Sequence, residues 1–263
     1  MSLIHPSAIV DSTAQLGPGV EVGPFAIVGP GVVLGEGCRI HAHGQVLGGA
    51  VLGPFNEVFS HAVIGNPPQD KKYKGEPTRL EIGAHNTFRE CVTVNLGTVQ
   101  DGGVTRIGDH NWIMAYVHIA HDCQVGSNTI MANAVQLAGH VQVGDWAIIG
   151  GITGVHQFVR IGAHAMTGAG TTLLQDLPPY VMANGNPASP HGINTEGLKR
   201  RGFSEGAVRA LRRAYKLLYK SGLGLAEALE AIRADCAGSP AADALALDPL
   251  ISFLDTQGRG IVR

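Results

Sequence analysis

One spacing constrains the fold of this chain more than any other feature: near the N-terminus, an aliphatic side chain returns at every sixth residue. The series begins at Ile4 and Val10 and continues without a break to Ile64. Glycine often follows the aliphatic residue, and the position two residues before it is often small. A period of six fits neither a 3.6-residue helix nor an alternating strand, but it is typical of parallel β-helices. The repeat predicts an all-β solenoid in which each hexapeptide supplies one short strand and a corner.

Two interruptions divide this repeat. The period returns from Ile82 to Val94, shifts by one residue, and then continues from Ile107 to Ile161. The interruptions lie near 66–80 and 96–105, and we expect both segments to loop out from the solenoid. Three hexapeptides make a triangular coil of about 18 residues, with the aliphatic side chains stacked inside. Neighbouring coils would lie about 4.8 Å apart, but the period does not determine the handedness of the coil.

Beyond about residue 190 the period of six stops and a helical pattern replaces it. Apolar residues recur at helical spacing from Val208 to Leu218, after a potential N-cap at Ser204. We therefore expect two domains. Residues 1–190 form the solenoid, and residues 191–263 form a small α-helical C-terminal domain.

The composition agrees with a solenoid, because the 263 residues include 37 glycines and only 5% aromatic residues. The first residues have neither the basic start nor the apolar run of a signal peptide, and no apolar stretch approaches the roughly 18 residues of a membrane span. We expect a cytoplasmic protein. The four cysteines lack paired spacing, and we assign them no chemistry.

Histidines in the later coils cluster on one side of the predicted prism. Residues about 18 apart occupy equivalent positions on adjacent coils, which places His121, His140 and His156 on one face or its corner. Asp122 is equivalent to His140, so their side chains could meet if both point outward. An imidazole near a carboxylate on a rigid strand can act as a general base near neutral pH. Most of the 12 histidines are nevertheless explained by ordinary surface or corner positions.

Basic residues concentrate on one predicted helix of the C-terminal domain, although the net charge of the chain is only −2. Arg209, Arg212, Lys216 and Lys220 recur at helical spacing and form a basic stripe. Such a stripe can steer an acidic protein or a phosphate group, although a solvated helix face is the plainer interpretation. Nucleic acid is disfavoured as a partner, because no basic motif with interleaved aromatic residues is present.

Four segments are more specific than the hexapeptides, which many unrelated acyltransferases share. They are HIAHDCQVG at 118–126, LAGHVQVGDWAIIGG at 137–151, VHQFVRIGAH at 155–164 and NTEGLKRRGFS at 194–204. Together they resemble the bacterial UDP-N-acetylglucosamine O-acyltransferases, and the resemblance covers nearly the whole chain. It implies a left-handed β-helix and an enzyme of lipid A biosynthesis. The family carries a 3-hydroxyacyl group from acyl carrier protein to the 3-hydroxyl of UDP-N-acetylglucosamine, the first step of that synthesis.

The resemblance also implies a mechanism and roles for individual residues. Transfer is direct in a ternary complex, with no covalent intermediate, no metal and no cofactor, and the members of the family are homotrimers. His121 matches the general base, Asp122 helps to set the geometry of the site, and the backbone amide of Gly139 matches an oxyanion donor. Positions that match substrate-binding residues of the family are Asp70, Lys72, Asn95, His118, His140, His156, Gln157, Asn194, Glu196, Arg200 and Arg201. Arg212 lies on the stripe that faces acyl carrier protein in this family.

Two residues depart from the family pattern. Asn95 stands where many members have histidine, which leaves the acceptor open between the usual 3-hydroxyl and a 3-amino sugar. Ala169 stands where long-chain members tend to have glycine, at the floor of the acyl groove. Because a rigid coil cannot easily move aside for a methyl group, we expect a preference for acyl chains of about C10 to C12 over C14.

Three other functions stay open at this point. A zinc hydratase resembling γ-class carbonic anhydrase would use three imidazoles and an open fourth position, but it leaves the basic helical domain without a role. A related N-acyltransferase shares the solenoid but normally carries an extra N-terminal uridine-binding domain. A non-enzymatic scaffold would show no turnover and no effect of removing His121.

Overall fold

Short parallel strands, most of them two residues long, make up the first part of the chain. The computed structural model describes residues 2–256 and 258–263. The strands in chain order are β1 (Leu3–Ile4), β2 (Ile9–Val10), β3 (Gln15–Leu16), β4 (Glu21–Val22), β5 (Ile27–Val28), β6 (Val33–Leu34), β7 (Arg39–Ile40), β8 (Gln45–Val46), β9 (Ala50–Leu52), β10 (Glu57–Val58), β11 (Val63–Asn66), β12 (Arg79–Ile82), β13 (Thr87–Phe88), β14 (Thr93–Asn95), β15 (Val104–Ile107), β16 (Trp112–Ile113), β17 (His118–Ile119), β18 (Gln124–Val125), β19 (Ile130–Met131), β20 (Gln136–Leu137), β21 (Gln142–Val143), β22 (Ile148–Ile149), β23 (Gly154–Val155), β24 (Arg160–Ile161), β25 (Met166–Thr167), β26 (Thr172–Leu173), β27 (Val181–Asn184) and β28 (Ser189–Ile193).

These strands form three sheets, which we call A, B and C. Sheet A has 11 strands in the order β1-β4-β7-β10-β13-β16-β19-β22-β25-β27-β28. Sheet B has nine strands, in the order β2-β5-β8-β11-β14-β17-β20-β23-β26, and sheet C has eight, from β24 back to β3. From β1 to β26, successive strands of the chain therefore visit A, B and C in turn, and one round is one coil of a prism. The last two strands, β27 and β28, both join sheet A and pair with each other antiparallel. The left-handed parallel β-helix expected from the hexapeptides and the resemblance is confirmed.

The core of the prism is a continuous stack of aliphatic side chains. In sheet A, for example, Val22, Ile40 and Val58 are at most 2% exposed and lie in register on three successive coils. Each such side chain contributes about 1.5–3 kcal/mol by its removal from water. The period of six is the sequence signature of this stack, because each strand supplies one inward side chain.

The prism has three edges, and the edge between sheets B and C, the B–C edge, carries most of the irregular features. The first loop leaves the prism between Asn66 and Arg79, and the second leaves it between Asn95 and Val104. Both segments connect a strand of sheet B to a strand of sheet C, so both predicted interruptions emerge from this edge. Further along the same edge, the corner residues include Asp122, with φ 60°.

Five helices follow the last strand of the prism. They are α1 (Thr195–Arg200), α2 (Glu205–Tyr219), α3 (Leu225–Ala237), α4 (Ala241–Ala244) and α5 (Asp248–Asp255). The predicted cap at Ser204 is confirmed, since its side chain accepts a hydrogen bond from the Ala207 N–H. Leu211 on α2 and Ile232 on α3 belong to one buried apolar cluster that holds these helices together. Among the described residues, no helix is both long enough and apolar enough to cross a membrane.

Candidate active site

A histidine and an aspartate, adjacent in sequence, form the centre of the B–C edge. His121 follows strand β17 at the corner, and its Nδ1 lies 2.8 Å from Oδ2 of Asp122. Because a carboxylate can only accept, the imidazole carries its proton on Nδ1 and presents a lone pair at Nε2. His121 is 9% exposed, so the ring is nearly buried but still reaches the surface. This is the arrangement of a general base oriented by a carboxylate.

The carboxylate of Asp122 is surrounded by hydrogen-bond donors. Thr98, in the second loop, donates its backbone N–H to Oδ1 at 2.8 Å and its hydroxyl to Oδ2 at 2.6 Å. Burial by itself would raise the pKa of Asp122, but the hydrogen bonds from His121 and Thr98 outweigh it and hold the pKa below its usual value. Asp122 therefore stays ionised at neutral pH and can stabilise a positive charge on the His121 ring.

Gly139 lies one coil further along, directly against the His121 ring. A β-carbon added there would meet Cε1 of His121 at 2.5 Å and Nε2 at 2.7 Å, so only glycine leaves room for the imidazole. Gly139 is buried. Within residues 2–256 and 258–263, its N–H has no hydrogen-bond acceptor. A buried donor without an acceptor, beside a general base, is a candidate for binding a developing oxyanion.

His140 brings a second imidazole to the same edge. Its ring stands edge-on to His121, at a centroid separation of 5.1 Å, and is stacked on Phe158 at 4.4 Å. Its Nε2 lies 3.8 Å from Oδ2 of Asp122, so the predicted proximity of these two residues is confirmed. Among the described residues, a metal ion could be held by His121, Asp122 and His140, because one ligand atom of each lies within 4.8 Å of the other two.

An apolar groove runs across sheet B beside this edge. It extends from His118 past Leu137 and Gly154 to Leu174, and His156 lies on its rim. Nδ1 of His118 is 2.8 Å from the Thr93 hydroxyl. Burial, and to a lesser extent the charge of His121, lower the pKa of His118, so this ring is neutral at pH 7. The groove could receive an apolar chain next to the candidate base.

The remaining predicted residues on this edge are less closely tied to the base. His156 is exposed, and its Nδ1 donates to the carbonyl of its neighbour Gln157 at 3.0 Å. In the first loop, the Asp70 carboxylate accepts from the Lys72 N–H at 2.9 Å, and the Lys72 side chain is exposed. These polar groups are accessible to a ligand that approaches the B–C edge.

Asn95 lies at the base of both loops, where strand β14 ends. It is fully buried, and its Nδ2 donates to the Pro67 carbonyl at 3.3 Å. Its Oδ1 has no hydrogen-bond partner in the described part of the chain. An unpaired buried acceptor of this kind favours a ligand or water that can donate a hydrogen bond.

A second group of predicted residues lies on a different edge, between sheets C and A, which we call the C–A edge. Asn194 caps α1 by accepting from the Gly197 N–H and donates to the His164 carbonyl at 3.4 Å. Glu196 and Arg200 are exposed on the same helix. Sheet C separates this group from His121, and among the described residues no hydrogen bond or ion pair joins the two groups.

Arg201 anchors this second group to the prism. Its guanidinium donates to Nδ1 of His164 at 3.1 Å and lies over the Trp146 ring. Burial, with a smaller contribution from the Arg201 charge, lowers the pKa of His164 to about 4. A neutral His164 can therefore act as the acceptor that orients Arg201.

Two further predicted residues lie apart from both groups. Ala169 is exposed at the corner between sheets A and B, after strand β25. Arg212 is exposed on α2, where it lines a shallow groove with Tyr215, Lys216 and Lys220. The basic stripe is thus a surface feature of the helical region.

Sequence reasoning missed the residues that surround the histidines. Thr98 and Thr105, which fix Asp122, and Asp101, which contacts His140, belong to the second interruption or its end. The interruption of the repeat could have indicated them, because a segment that departs from a regular repeat often serves a functional site and not the scaffold. Which side chains it would present was not readable from the period.

A solenoid of hexapeptides with a carboxylate-oriented imidazole on one edge is typical of the hexapeptide transferases. Residues 13–48 and 105–139 match the family described as bacterial transferase hexapeptide (six repeats). Residues 176–262 match the family described as Udp N-acetylglucosamine O-acyltransferase, domain 2.

Relatives similar over the full length make the assignment more specific. The chain is 57% identical to an acyl-[acyl-carrier-protein]--UDP-N-acetylglucosamine O-acyltransferase of Janthinobacterium sp. (strain Marseille) and 55% identical to one of Burkholderia lata, each over 100% of both chains. The crystal structure of the UDP-N-acetylglucosamine O-acyltransferase of Moraxella catarrhalis is similar with a TM-score of 0.94 at 43% identity, over 99% of both chains. A solved structure from Acinetobacter baumannii gives 0.93 at 45% identity, over 99% of this chain and 100% of that one. The chain belongs to the UDP-N-acetylglucosamine O-acyltransferase family.

Proposed function

We propose that this chain transfers a 3-hydroxyacyl group from acyl carrier protein to the 3-hydroxyl of UDP-N-acetylglucosamine, the first step of lipid A biosynthesis. Membership of the family and the names of its full-length relatives support this reaction. The observation that carries it is the 2.8 Å contact between His121 and Asp122, because it leaves a lone pair on Nε2 at the mouth of the site. An acyl transfer to a hydroxyl group requires such a base.

The reaction follows from this geometry. Nε2 of His121 takes the proton of the sugar hydroxyl while the hydroxyl oxygen attacks the carbonyl carbon of the thioester. The ionised Asp122 stabilises the imidazolium, and the Gly139 N–H stabilises the negative charge on the carbonyl oxygen. The C–S bond then breaks, and the departing thiolate of the carrier takes the proton from His121. General-base assistance of this kind contributes about 10²–10⁴-fold to the rate.

The acyl chain and the carrier are assigned to two surfaces. The apolar groove from His118 to Leu174 is adjacent to the base and suits the acyl chain. Arg212 and its neighbours on α2 suit the acidic acyl carrier protein, because opposite charges steer association.

Ala169 is proposed to limit the length of the acyl chain to about C10 to C12, and Asn95 is proposed to contact the sugar or the acyl group. The cytoplasmic location stays a prediction of the sequence.

A homotrimer is proposed to complete the site. Asn194, Glu196, Arg200 and Arg201 lie on the C–A edge, apart from the base, so one copy alone separates two groups that the resemblance assigns to one substrate. A neighbouring copy related by threefold symmetry can bring its C–A edge to the B–C edge of the first copy. The paired cations of Arg200 and Arg201 would then suit the diphosphate of the nucleotide.

Mixed trimers test this arrangement. We would co-express a His121→Ala chain and an Arg201→Ala chain with different tags and purify trimers that contain both. Because each site would need one native residue from each of two neighbouring copies, a trimer that contains both variants would have about a third of its sites restored, one of the three. Activity that stays at the level of the two separate variants would contradict a shared site.

The reaction itself is tested by mass spectrometry. Purified protein is incubated with UDP-N-acetylglucosamine and 3-hydroxyacyl carrier proteins of C10, C12 and C14, each donor separately. We expect acylated nucleotide with C10 and C12 in preference to C14. Absence of product with every donor would overturn the proposal and direct attention to a 3-amino sugar acceptor. The zinc hydratase alternative is not favoured, since the matched relatives are acyltransferases.

A further inference from the structure

The second loop crosses the B–C edge as a strap, which we define as residues 97–103. The strap meets the active edge at two polar points. Thr98 donates two hydrogen bonds to Asp122, and the carboxylate of Asp101 accepts from Nδ1 of His140 at 2.7 Å. Its intervening side chains, Val99 and Gln100, are exposed. The strap is therefore held in place by its contacts to Asp122 and to His140.

Backbone hydrogen bonds within the strap fix the position of Asp101 relative to Thr98. Val99–Asp101 form a single 3₁₀ turn, in which the Asp101 N–H donates to the Thr98 carbonyl at 3.2 Å. The Gly103 N–H donates to the same carbonyl at 3.0 Å. Gly102 and Gly103 have φ of 76° and 74°, and these left-handed conformations return the chain sharply to β15. The position of the Asp101 carboxylate is thus set by the contact of Thr98 with Asp122.

Phe158, His121 and Asp101 all contact the His140 ring, and of these three it is Asp101 that distinguishes the two ring nitrogens. Phe158 is stacked at an angle of 17° and fixes the plane of the ring, and His121 meets its edge at 89°. A stacked ring can still rotate by half a turn about its Cβ–Cγ bond, and this rotation would exchange the positions of Nδ1 and Cδ2 while the plane of the ring stays the same. The Asp101 carboxylate prevents this exchange, because it binds the N–H at Nδ1. Nε2 then stays on the side of Asp122, 3.8 Å from its carboxylate.

We infer that Asp101 is a positioning residue of this active site: it fixes the orientation and the tautomer of His140 and closes the strap over the edge where the sugar binds. This inference rests on the proposed function and on the match of His140 to a substrate-binding position of the family. With Nδ1 occupied by Asp101, His140 offers its Nε2 to the ligand. The same relation is seen when a carboxylate orients a metal-binding histidine through its second nitrogen.

Kinetics of Asp101→Ala test the inference. Because the Asp101 side chain is 61% exposed, water partly replaces the lost contact, and we expect a moderate effect. The KM for UDP-N-acetylglucosamine should rise about tenfold, while kcat falls less than threefold and the KM for the acyl carrier substrate is unchanged. Asp101→Asn keeps an acceptor for the Nδ1 proton and should fall between the native protein and Asp101→Ala. Gln100→Ala is the matched control, because this exposed neighbour on the strap makes no hydrogen bond within the described residues.

Two readouts separate positioning from a general loss of structure. In a His140→Ala background, Asp101→Ala should have no further effect on KM, since the two residues act through one contact. ¹⁵N chemical shifts of the histidine rings should show His140 as the Nδ1–H tautomer in the native protein and as a tautomer mixture in Asp101→Ala. This spectrum needs no turnover, so it tests the contact even if the proposed reaction fails. A KM within twofold of the native value, or effects of the two variants that simply add, would overturn the inference.

Discussion

A single methyl group at Gly139 tests whether the His121 ring must lie where the structure places it. The added β-carbon would be 2.5 Å from Cε1 and 2.7 Å from Nε2 of His121. Ordinary carbon contacts are about 3.5–4.0 Å, so the ring must retreat by about 1 Å. Gly139 does not have a left-handed backbone, and alanine is therefore tolerated by the corner itself. The perturbation falls on the base and leaves the solenoid intact.

The expected loss follows from this displacement. Moving a reacting group by about 1 Å costs about 100-fold in rate, which corresponds to about 2.7 kcal/mol of transition-state stabilisation. The Gly139 N–H is retained in the alanine variant, so the proposed oxyanion donor is still present. We therefore expect kcat of Gly139→Ala to fall about 100-fold, while the KM for either substrate changes by less than about threefold.

The assay compares initial rates of acylated nucleotide formation with thermal unfolding of the same preparations. Gly238→Ala serves as the matched control, because it adds the same methyl group after α3, where the nearest atom would be 3.7 Å away. The control should match the native protein in rate and in Tm. A Gly139→Ala variant that folds normally and keeps its kcat within threefold would refute the placement of His121 as the base.

Three further predictions concern other parts of the molecule. Ala169→Gly should shift the preferred donor from C10 or C12 towards C14, as read by competition between carrier proteins in mass spectrometry; an unchanged preference would contradict the proposed role of Ala169 as the chain-length limit. Arg212→Glu should raise the KM for the acyl carrier substrate about tenfold and leave the KM for the nucleotide unchanged, with the effect shrinking at high salt. The folded-state pKa of His164 is about 4, below its unfolded value of 6.5, so stability from this group is full above pH 6.5 and is lost as the pH falls towards 4. After allowance for partial exposure, urea unfolding should show about 1–2 kcal/mol of this pH dependence in the native protein but not in His164→Asn.

The sequence predicted the prism well because its core obeys one rule. Every coil must place aliphatic residues such as Ile119 and Val125 inside the prism. Aliphatic residues therefore recur in the sequence at a fixed spacing, which can be recognised without a structure. Helix α2 was equally readable from Ser204 and its apolar face. The handedness followed from resemblance, because a period of six is the same for either hand.

The surroundings of the candidate base were only partly readable. The spacing of Asp122 and His140 on adjacent coils predicted their proximity, since coil register depends on the repeat alone. The contacts of Thr98 and Asp101 depend on the path of the second loop, which no repeat dictates. The sequence also did not predict that Asn194 and Arg201 lie apart from the candidate base. Their position depends on the edge of the prism at which the chain leaves its last coil, and the repeat does not determine that edge.

The most direct test of the account is the rate of acyl transfer by His121→Ala at saturating concentrations of both substrates, with product measured by mass spectrometry. If His121 takes the proton of the sugar hydroxyl, kcat should fall by about 10²–10⁴-fold while the Tm and the KM for the nucleotide stay close to native values. A variant that folds normally and retains kcat within tenfold of the native protein would show that another group removes the proton.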